Sequence, residues 1–489
     1  MLFNSIQFLI FFPVVTLLYF LTPHKYRWLL LLGASCYFYM SFIPVYILIL
    51  LITIIIDYVA GIYIEESEGR NKIKYLILSV VTLCMVLFIF KYFNFFNQNF
   101  ASLSKIFYIK YPVEDIGLIL PIGLSFHTFQ SLSYVIEVYK GRQKAERNFG
   151  IYSLYVMFYP QLVAGPIERP QNLLHQFYEE HKFDYKRITD GLKLMTWGMF
   201  KKVVIADRLA VFVNQVYDNP YNYKGISLVI ATVFFAFQIY CDFSGYTDIA
   251  RGAANVMGFN LMQNFNRPYF SKSIHEFWKR WHISLSTWFR DYLYIPLGGN
   301  RVAIPRWYFN LFITFVISGL WHGANWTFII WGALHGSYLI SGMLTNNFRK
   351  KVVEYTGLDR FPTIHKYIQM VFTFSLVCFA WIFFRAADLN SALYIVSNIF
   401  TGIGNVSLLF SPDRSHLLYL DKNLFDFSIA IALIISLKLI EMIQRKGSFI
   451  GMLNKRSIVL RWILYYILII IILLFGQFDI TQQFIYFQF

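Results

Sequence analysis

Charge is scarce in this sequence. Asp, Glu, Lys and Arg make up 14% of its 489 residues, against about a quarter in a soluble domain. That scarcity excludes an ordinary soluble enzyme. Cysteine is almost as thin: Cys36, Cys84, Cys241 and Cys378 lie apart in apolar stretches. No pair has metal-ligand or redox spacing, so all four are expected to be small buried side chains. There is no GxSxG elbow and no cysteine beside a histidine, so the signatures of a hydrolase nucleophile are missing. No internal repeat divides the chain into the two halves of a secondary transporter. The first apolar run, SIQFLIFFPVVTLLYFL, has no basic residue before it and no small-residue cleavage site after it. It is expected to be a retained first helix and not a removable signal peptide.

What is present is apolar surface. Hydrophobic residues make up 57% of the chain, and many runs reach the roughly 20 residues that cross a bilayer. The expected spans are 5–21, 28–45, 46–64, 74–93, 116–137, 150–165, 190–215, 226–246, 308–343, 368–386, 425–442 and 459–477. The 308–343 run is too long for one span and is either a tilted helix or two helices separated near Gly323. The fold class is therefore an all-α polytopic membrane protein.

The net charge is +16. The lysines and arginines sit in short loops between apolar runs, which the positive-inside rule and anionic lipid headgroups explain. No basic single-faced domain is present, so nucleic acid is not an expected partner. The link His24–Arg27, the loop Arg70–Lys74, the segment Lys140–Arg147 and the segment Lys438–Arg456 (with Arg445, Lys446 and Lys455) are expected on the cytoplasmic side. Both termini then lie outside. The 385–424 loop, with Gly402 and Gly404, would be an outer segment able to dock a partner.

The middle of the chain differs. From Gly245 to Trp307 it is polar, aromatic and punctuated by glycine and proline. Irregular backbone at membrane depth is tolerated where protein or a wet cavity surrounds it. In KSIHEFWKRWHISLSTWF, the residues Ile274, Phe277, Trp278, Trp281, Leu285, Trp288 and Phe289 recur at helical spacing. That pattern predicts one interfacial helix with tryptophan anchors. His275 and His282 would share one face of it, but a zinc site needs three or four protein ligands, and no metal site is expected.

Two tryptophan–histidine pairs, Trp281–His282 and Trp321–His322, need a reason in so apolar a chain, because a buried imidazole is costly unless paired or wetted. Around His322, Gly319, Gly323 and Ala324 leave space for another molecule or for backbone to come close. Asn325, Trp326 and Trp331 are near in sequence. An imidazole has an ordinary pKa of about 6.5 and can take a hydroxyl proton and later return it to a leaving group. That suits acyl transfer, direct transfer being simpler than a covalent enzyme intermediate. A structural histidine bonded to a helix carbonyl is the alternative for His322 and His282, and more so for His335 and His127.

Asp242 and Asp248 follow an apolar run, and Arg251 stands one helical turn beyond Asp248. Both aspartates are expected to shape the core through ion pairs. In YIPLGGNRVAIPRW, Pro296, Gly298, Gly299 and Asn300 predict a tight turn. Lys279, Arg280, Arg301 and Arg306 near it would meet the phosphates of a nucleotide-bearing acyl donor or lipid headgroups.

Taken together, MLFNSIQFLIFFPVV, LPIGLSFHTFQSLSYVIEVYKG, YPQLVAGPIERP, FQIYCDFSGYTDIARGAANVMGFNLMQNFNRPY, FWKRWHISLSTWFRDYLYIPLGGNR, GLWHGANWTFIIWGALHG and FIYFQF resemble the membrane-bound O-acyltransferase family. Within it they are closest to the branch of the alginate O-acetyltransferase membrane subunit. The resemblance implies a single domain over 1–489. Its N-terminal helices would occupy 1–225, its catalytic core with interfacial helices 226–345 and its C-terminal helices 346–489. About eleven spans would surround a central tunnel.

The resemblance maps the family's membrane histidine onto His322. It maps a second position, histidine in this branch and asparagine in many others, onto His282. Trp321, Gly323, Asn325, Asp242 and Asp248 would support them. It implies acetyl-CoA as the cytoplasmic donor, an exported polysaccharide as acceptor, an extracytoplasmic serine-hydrolase-like partner and a place in the bacterial cytoplasmic membrane, with no permanently bound cofactor. The chain carries no fused domain of that hydrolase kind. Alternatives are D-alanyl transfer to teichoic acid, whose membrane subunit is typically a shorter chain, a polysaccharide transporter or export channel, and a synthase scaffold.

Overall fold

A computed structural model describes residues 1–163, 165–402, 418–444, 451, 456–478 and 484–487. Arg445, Lys446, Lys455, residues 403–417 with Gly404, and the last two residues of the FIYFQF tail lie outside the described residues. Regular structure among the described residues is helical throughout. Residues 1–195 and 246–263 pack into one compact unit, and residues 196–245 and 264–489 into a second.

In the first unit, local sequence starts and joins the helices. Ser5 caps the Ile6–Leu21 helix by accepting the Phe8 N–H, and Asn148 caps Phe149–Met157 by accepting the Gly150 and Ile151 N–H groups, filling donors a helix start leaves open. The buried Asp57 on Ile47–Glu66 accepts the Ser79 hydroxyl of Gly69–Leu87 at 2.7 Å. Arg147, in one of the basic segments, pairs with Glu66 at 2.6 Å.

Among the described residues, six helices are long and apolar enough to cross a membrane: Pro44–Glu66, Gly69–Ile106, Ile226–Met257, Trp326–Leu344, Pro362–Arg385 and Ile458–Phe475, with Ile6–Leu21 a shorter apolar one. The protein is a multi-pass helical membrane protein. The other apolar runs form helices that are shorter or carry more polar side chains, as His24–Met40 and Tyr185–Met199 do. In its most apolar window, Ile226–Met257 is 78% buried, whereas Ile458–Phe475 is 6% buried. The first is therefore a core element, and the second turns Trp462, Ile470, Leu473 and Leu474 outward, as lipid contact requires.

Of the two arrangements expected for the 308–343 run, the pair of helices is the one formed, and one other expectation about the middle of the chain changes. The 308–343 run is two helices, Ile304–His322 and Trp326–Leu344, packed as a hairpin across Gly323–Asn325. The stretch around Trp281 is not one helix. It is Ile274–Trp278 and Ile283–Phe289, separated at His282, whose backbone is left-handed at φ 42°, ψ 57°. Its tryptophans do not serve as lipid anchors, because Trp278, Trp281 and Trp288 are buried inside the protein.

Candidate active site

Backbone pairing breaks the helix at His282. The Asn266 N–H donates to the Arg280 carbonyl and the Ile283 N–H to the Asn264 carbonyl, each at 2.9 Å. The Asn264 side chain also accepts the Ser284 N–H at 3.2 Å. These bonds replace helical ones and hold His282 in a conformation that non-glycine residues seldom adopt. The side chain is fully buried, with its ring 4.7 Å from Phe243. Burial pushes the imidazole down to about 3, because the charged form would lose its hydration. His282 is therefore neutral at physiological pH.

His322 is the last residue of the Ile304–His322 helix and is 5% exposed. The small residues beside it serve close helix packing. A methyl group at Gly319 would overlap the Phe328 carbonyl, one at Gly332 the Phe315 carbonyl and one at Gly323 the Phe328 ring. Of the two readings of that small-residue cluster, approach of backbone is the one realised. The imidazole is ringed by aromatics, with centroids 4.9 Å from Trp321, 5.0 Å from Trp331, 5.3 Å from Phe384 and 5.6 Å from Tyr486.

The two histidines share walls. His282 stacks on Trp321 at 6.5 Å and lies 6.3 Å from Tyr486, so residues 40 positions apart in sequence face the same two rings. His335 is also buried and lies 5.0 Å from Trp331, on which His322 also packs. The Trp278 indole N–H donates to His335 Nδ1 at 3.3 Å, which gives His335 a packing partner. His127 belongs to the first unit.

A charge cluster that sequence reading missed adjoins this chamber. The Lys202 ammonium is buried between Asp207 at 2.8 Å and Asp242 at 2.7 Å. The neighbouring Lys201 donates to Ser244 at 2.9 Å. Both lysines lie in a π-helical segment, Phe200–Ala206. The wider turn breaks the regular helical repeat, and such bulges mark functional places often enough to note. Two consecutive lysines inside an apolar run were the available signal, since charge at that depth is rare without a partner.

Asp242 does more than pair. Its second oxygen accepts the Ile485 N–H at 2.8 Å, so the charge cluster fixes the segment that carries Tyr486. The Tyr486 ring lies 4.4 Å from Phe243, and its buried hydroxyl has no hydrogen-bond partner among the described residues. Tyr486 is the second residue that sequence reading did not single out.

The remaining expected residues divide. Asn325 caps Trp326–Leu344 by accepting the Thr327 N–H at 3.0 Å, and its amide donates to the Ala387 carbonyl at 3.3 Å. Asp248 pairs with Arg251 at 3.6 Å in the first unit, as the spacing predicts. Arg280 is engaged by Glu276 at 2.6 Å. Lys279, Arg301 and Arg306 are exposed, and Arg306 lies over the Phe309 ring at 5.2 Å. Arg306 starts the helix that ends at His322, which separates them by about 24 Å of helical rise.

The arrangement is a buried aromatic enclosure around two histidines, with exposed cations at the far end of one wall. The family model of the membrane-bound O-acyltransferases matches residues 148–386, a range that contains both histidines, Lys202 and Asp242. The chain is 40% identical over 405 residues to the probable alginate O-acetylase AlgI of Azotobacter vinelandii, covering 82% of this chain and 78% of that protein. It is 35% identical over 443 residues to a peptidoglycan O-acetyltransferase of Helicobacter pylori, covering 83% and 81%. It is 27% identical over 281 residues to the teichoic acid D-alanyltransferase of Bacillus subtilis, covering 55% and 69%. Matches at this identity, over this share of both chains, place the protein in the membrane-bound O-acyltransferase family, and it is a multi-pass membrane acyltransferase.

Proposed function

We propose that the chain moves an acetyl group from cytoplasmic acetyl-CoA to the outer side of the membrane for O-acetylation of an exported polysaccharide. His322 is the catalytic base. It takes the proton of an attacking hydroxyl while the oxygen bonds to the thioester carbonyl carbon. When the carbon–sulfur bond breaks, the imidazolium returns the proton and CoA leaves as the free thiol. His282, neutral and locked by its backbone, positions the reacting groups. Trp321 and Gly323 shape the chamber. Asn325 caps the helix behind it, Asp242 anchors Tyr486, and Asp248 supports the core through Arg251.

Lys279, Arg280, Arg301 and Arg306 meet the phosphates of the donor at the cytoplasmic end, and its long pantetheine arm reaches along the Ile304–His322 wall. Arg280 already has a carboxylate partner, so Arg301 and Arg306 carry more of that contact. The complete fold is about eleven spans around a central tunnel in the bacterial cytoplasmic membrane. A separate serine-hydrolase-like protein completes transfer outside.

The observation that carries this reading is the placement of His282 and His322 against the same two rings, Trp321 and Tyr486, in an aromatic enclosure. A dry enclosure strengthens each hydrogen bond made to the reacting atoms. The test is protein in lipid nanodiscs supplied with radiolabelled acetyl-CoA, partner and glycan. Release of CoA with label in the glycan supports the reading. Label transferred only from a carrier-protein thioester would replace it with the D-alanyl-type reading.

A further inference from the structure

The loop that joins Trp326–Leu344 to Pro362–Arg385 carries a short helix, Asn346–Tyr355. Both flanking helices are long enough to cross the membrane, and they pack on each other. The two ends that the loop joins therefore emerge on one face. The loop and the start of the second helix contain Arg349, Lys350, Lys351, Arg360 and Lys366 against Glu354 and Asp359. The positive-inside rule assigns that face to the cytoplasm.

The short helix is amphipathic. Phe348, Val352 and Tyr355 recur at i, i+4 and i+7 and form one stripe. Arg349 and Lys351 flank the stripe, and Asn346, Lys350 and Glu354 lie on the opposite side. The protein buries no residue of this helix. Phe348 is 68% exposed and Tyr355 95%. Leu344 before the helix and Phe361 and Ile364 after it are exposed as well, so the open apolar surface continues into both flanking spans.

The helix is also tied down at its start. The Arg349 guanidinium donates to the Gly342 carbonyl at the end of Trp326–Leu344, and the Arg349 N–H donates to the Thr345 carbonyl at 2.8 Å. Whatever holds this helix thereby holds the cytoplasmic end of the hairpin that carries His322.

We propose that Asn346–Tyr355 lies on the cytoplasmic leaflet, with its aromatic stripe at the boundary of headgroups and acyl chains and with Lys351, Arg360 and Lys366 on anionic phospholipid. Two features select that occupant. An aromatic stripe beside the ends of two spans sits at headgroup depth, where such side chains gather. Cations next to a shallow apolar stripe add electrostatic attraction to an anionic leaflet. This placement holds whichever acyl group the chain transfers. Ile304–His322 runs antiparallel to Trp326–Leu344, so Arg301 and Arg306 share the face, and donor phosphates are the rival occupant of the cations.

The experiment uses the full chain in nanodiscs of equal phosphatidylglycerol and phosphatidylcholine. A benzoylphenylalanine photo-crosslinker is placed at position 348, 354 or 355, and adducts are read by mass spectrometry. Positions 348 and 355 should capture lipid, and position 354 should not. Capture at position 348 should favour phosphatidylglycerol by about fivefold. Combining Lys351→Gln, Arg360→Gln and Lys366→Gln should bring that ratio to parity and leave the unfolding temperature unchanged. Millimolar acetyl-CoA should not alter the native ratio. Equal lipid capture at all three positions, capture of the chain's own residues at position 348, parity in the native chain, or a preference that survives the triple change would overturn the proposal. So would loss of the preference on adding acetyl-CoA, which would give the cations to the donor's phosphates.

Discussion

Two buried polar regions of the second unit solve the same problem in opposite ways. Around Lys202 the protein keeps charge in the core and answers it with charge, placing Asp207 and Asp242 within 2.8 Å of the ammonium. Around His282 and His322 it encloses imidazoles with rings, and at His282 burial suppresses the charge itself. A buried charge held by ion pairs is committed to holding structure, whereas an imidazole among aromatic rings keeps its proton chemistry available. The first region serves the second, because Asp242 reaches past Lys202 to the backbone of Ile485 and so sets Tyr486 beside both histidines.

The comparison breaks most sharply at His322. Replacing it with alanine should lower turnover by about 10²- to 10⁴-fold while the unfolding temperature stays near that of the native protein. Turnover within twofold of native would remove it from the chemistry. Next comes Lys202→Met, which strands two buried carboxylates and should cost about 3–5 kcal/mol of stability. Thermal unfolding in nanodiscs measures it, and the triple change Lys202→Met, Asp207→Asn, Asp242→Asn should recover much of the loss by removing the stranded charge. No recovery would mean that the cluster does not act through charge.

His282 sharpens the contrast through pH. Its folded pKa, about 3, lies below the unfolded value near 6.5. The unfolded chain therefore binds the extra proton between those values. Its contribution to stability is complete above pH 6.5 and falls as the pH drops toward 3. His282→Asn should flatten that acid-side decline while slowing turnover. A decline of unchanged slope would mean that His282 is not buried as a neutral ring. The smallest effect is expected at Asn325, where alanine removes a helix cap worth about 1 kcal/mol. A modest fall in unfolding temperature with turnover largely kept would place Asn325 in the scaffold.

Much of this site was legible in sequence, for a physical reason. A histidine beside a tryptophan is conspicuous in a chain that is 57% apolar, and glycines at helical spacing around His322 announce close packing. The Asp248–Arg251 pair follows from spacing alone. What could not be read is what depends on distant partners. The apolar period from Ile274 to Phe289 is genuine, yet pairing with Asn264 and Asn266 breaks the helix at His282, and nothing local signals it. Lys202 meets Asp242 across 40 positions, and Asp242 meets Ile485 across 243. Motif spacing carries no trace of either.

The most direct test measures two quantities on two variants in one preparation. CoA release and thermal unfolding would be recorded for His322→Ala and Lys202→Met in the same nanodiscs. The account predicts a crossover, with His322→Ala stable and inactive, and Lys202→Met losing stability first and activity only as the Tyr486 segment loses its anchor. An unstable His322→Ala with normal turnover per folded molecule would contradict it, because the histidine would then be holding the fold and not moving the proton.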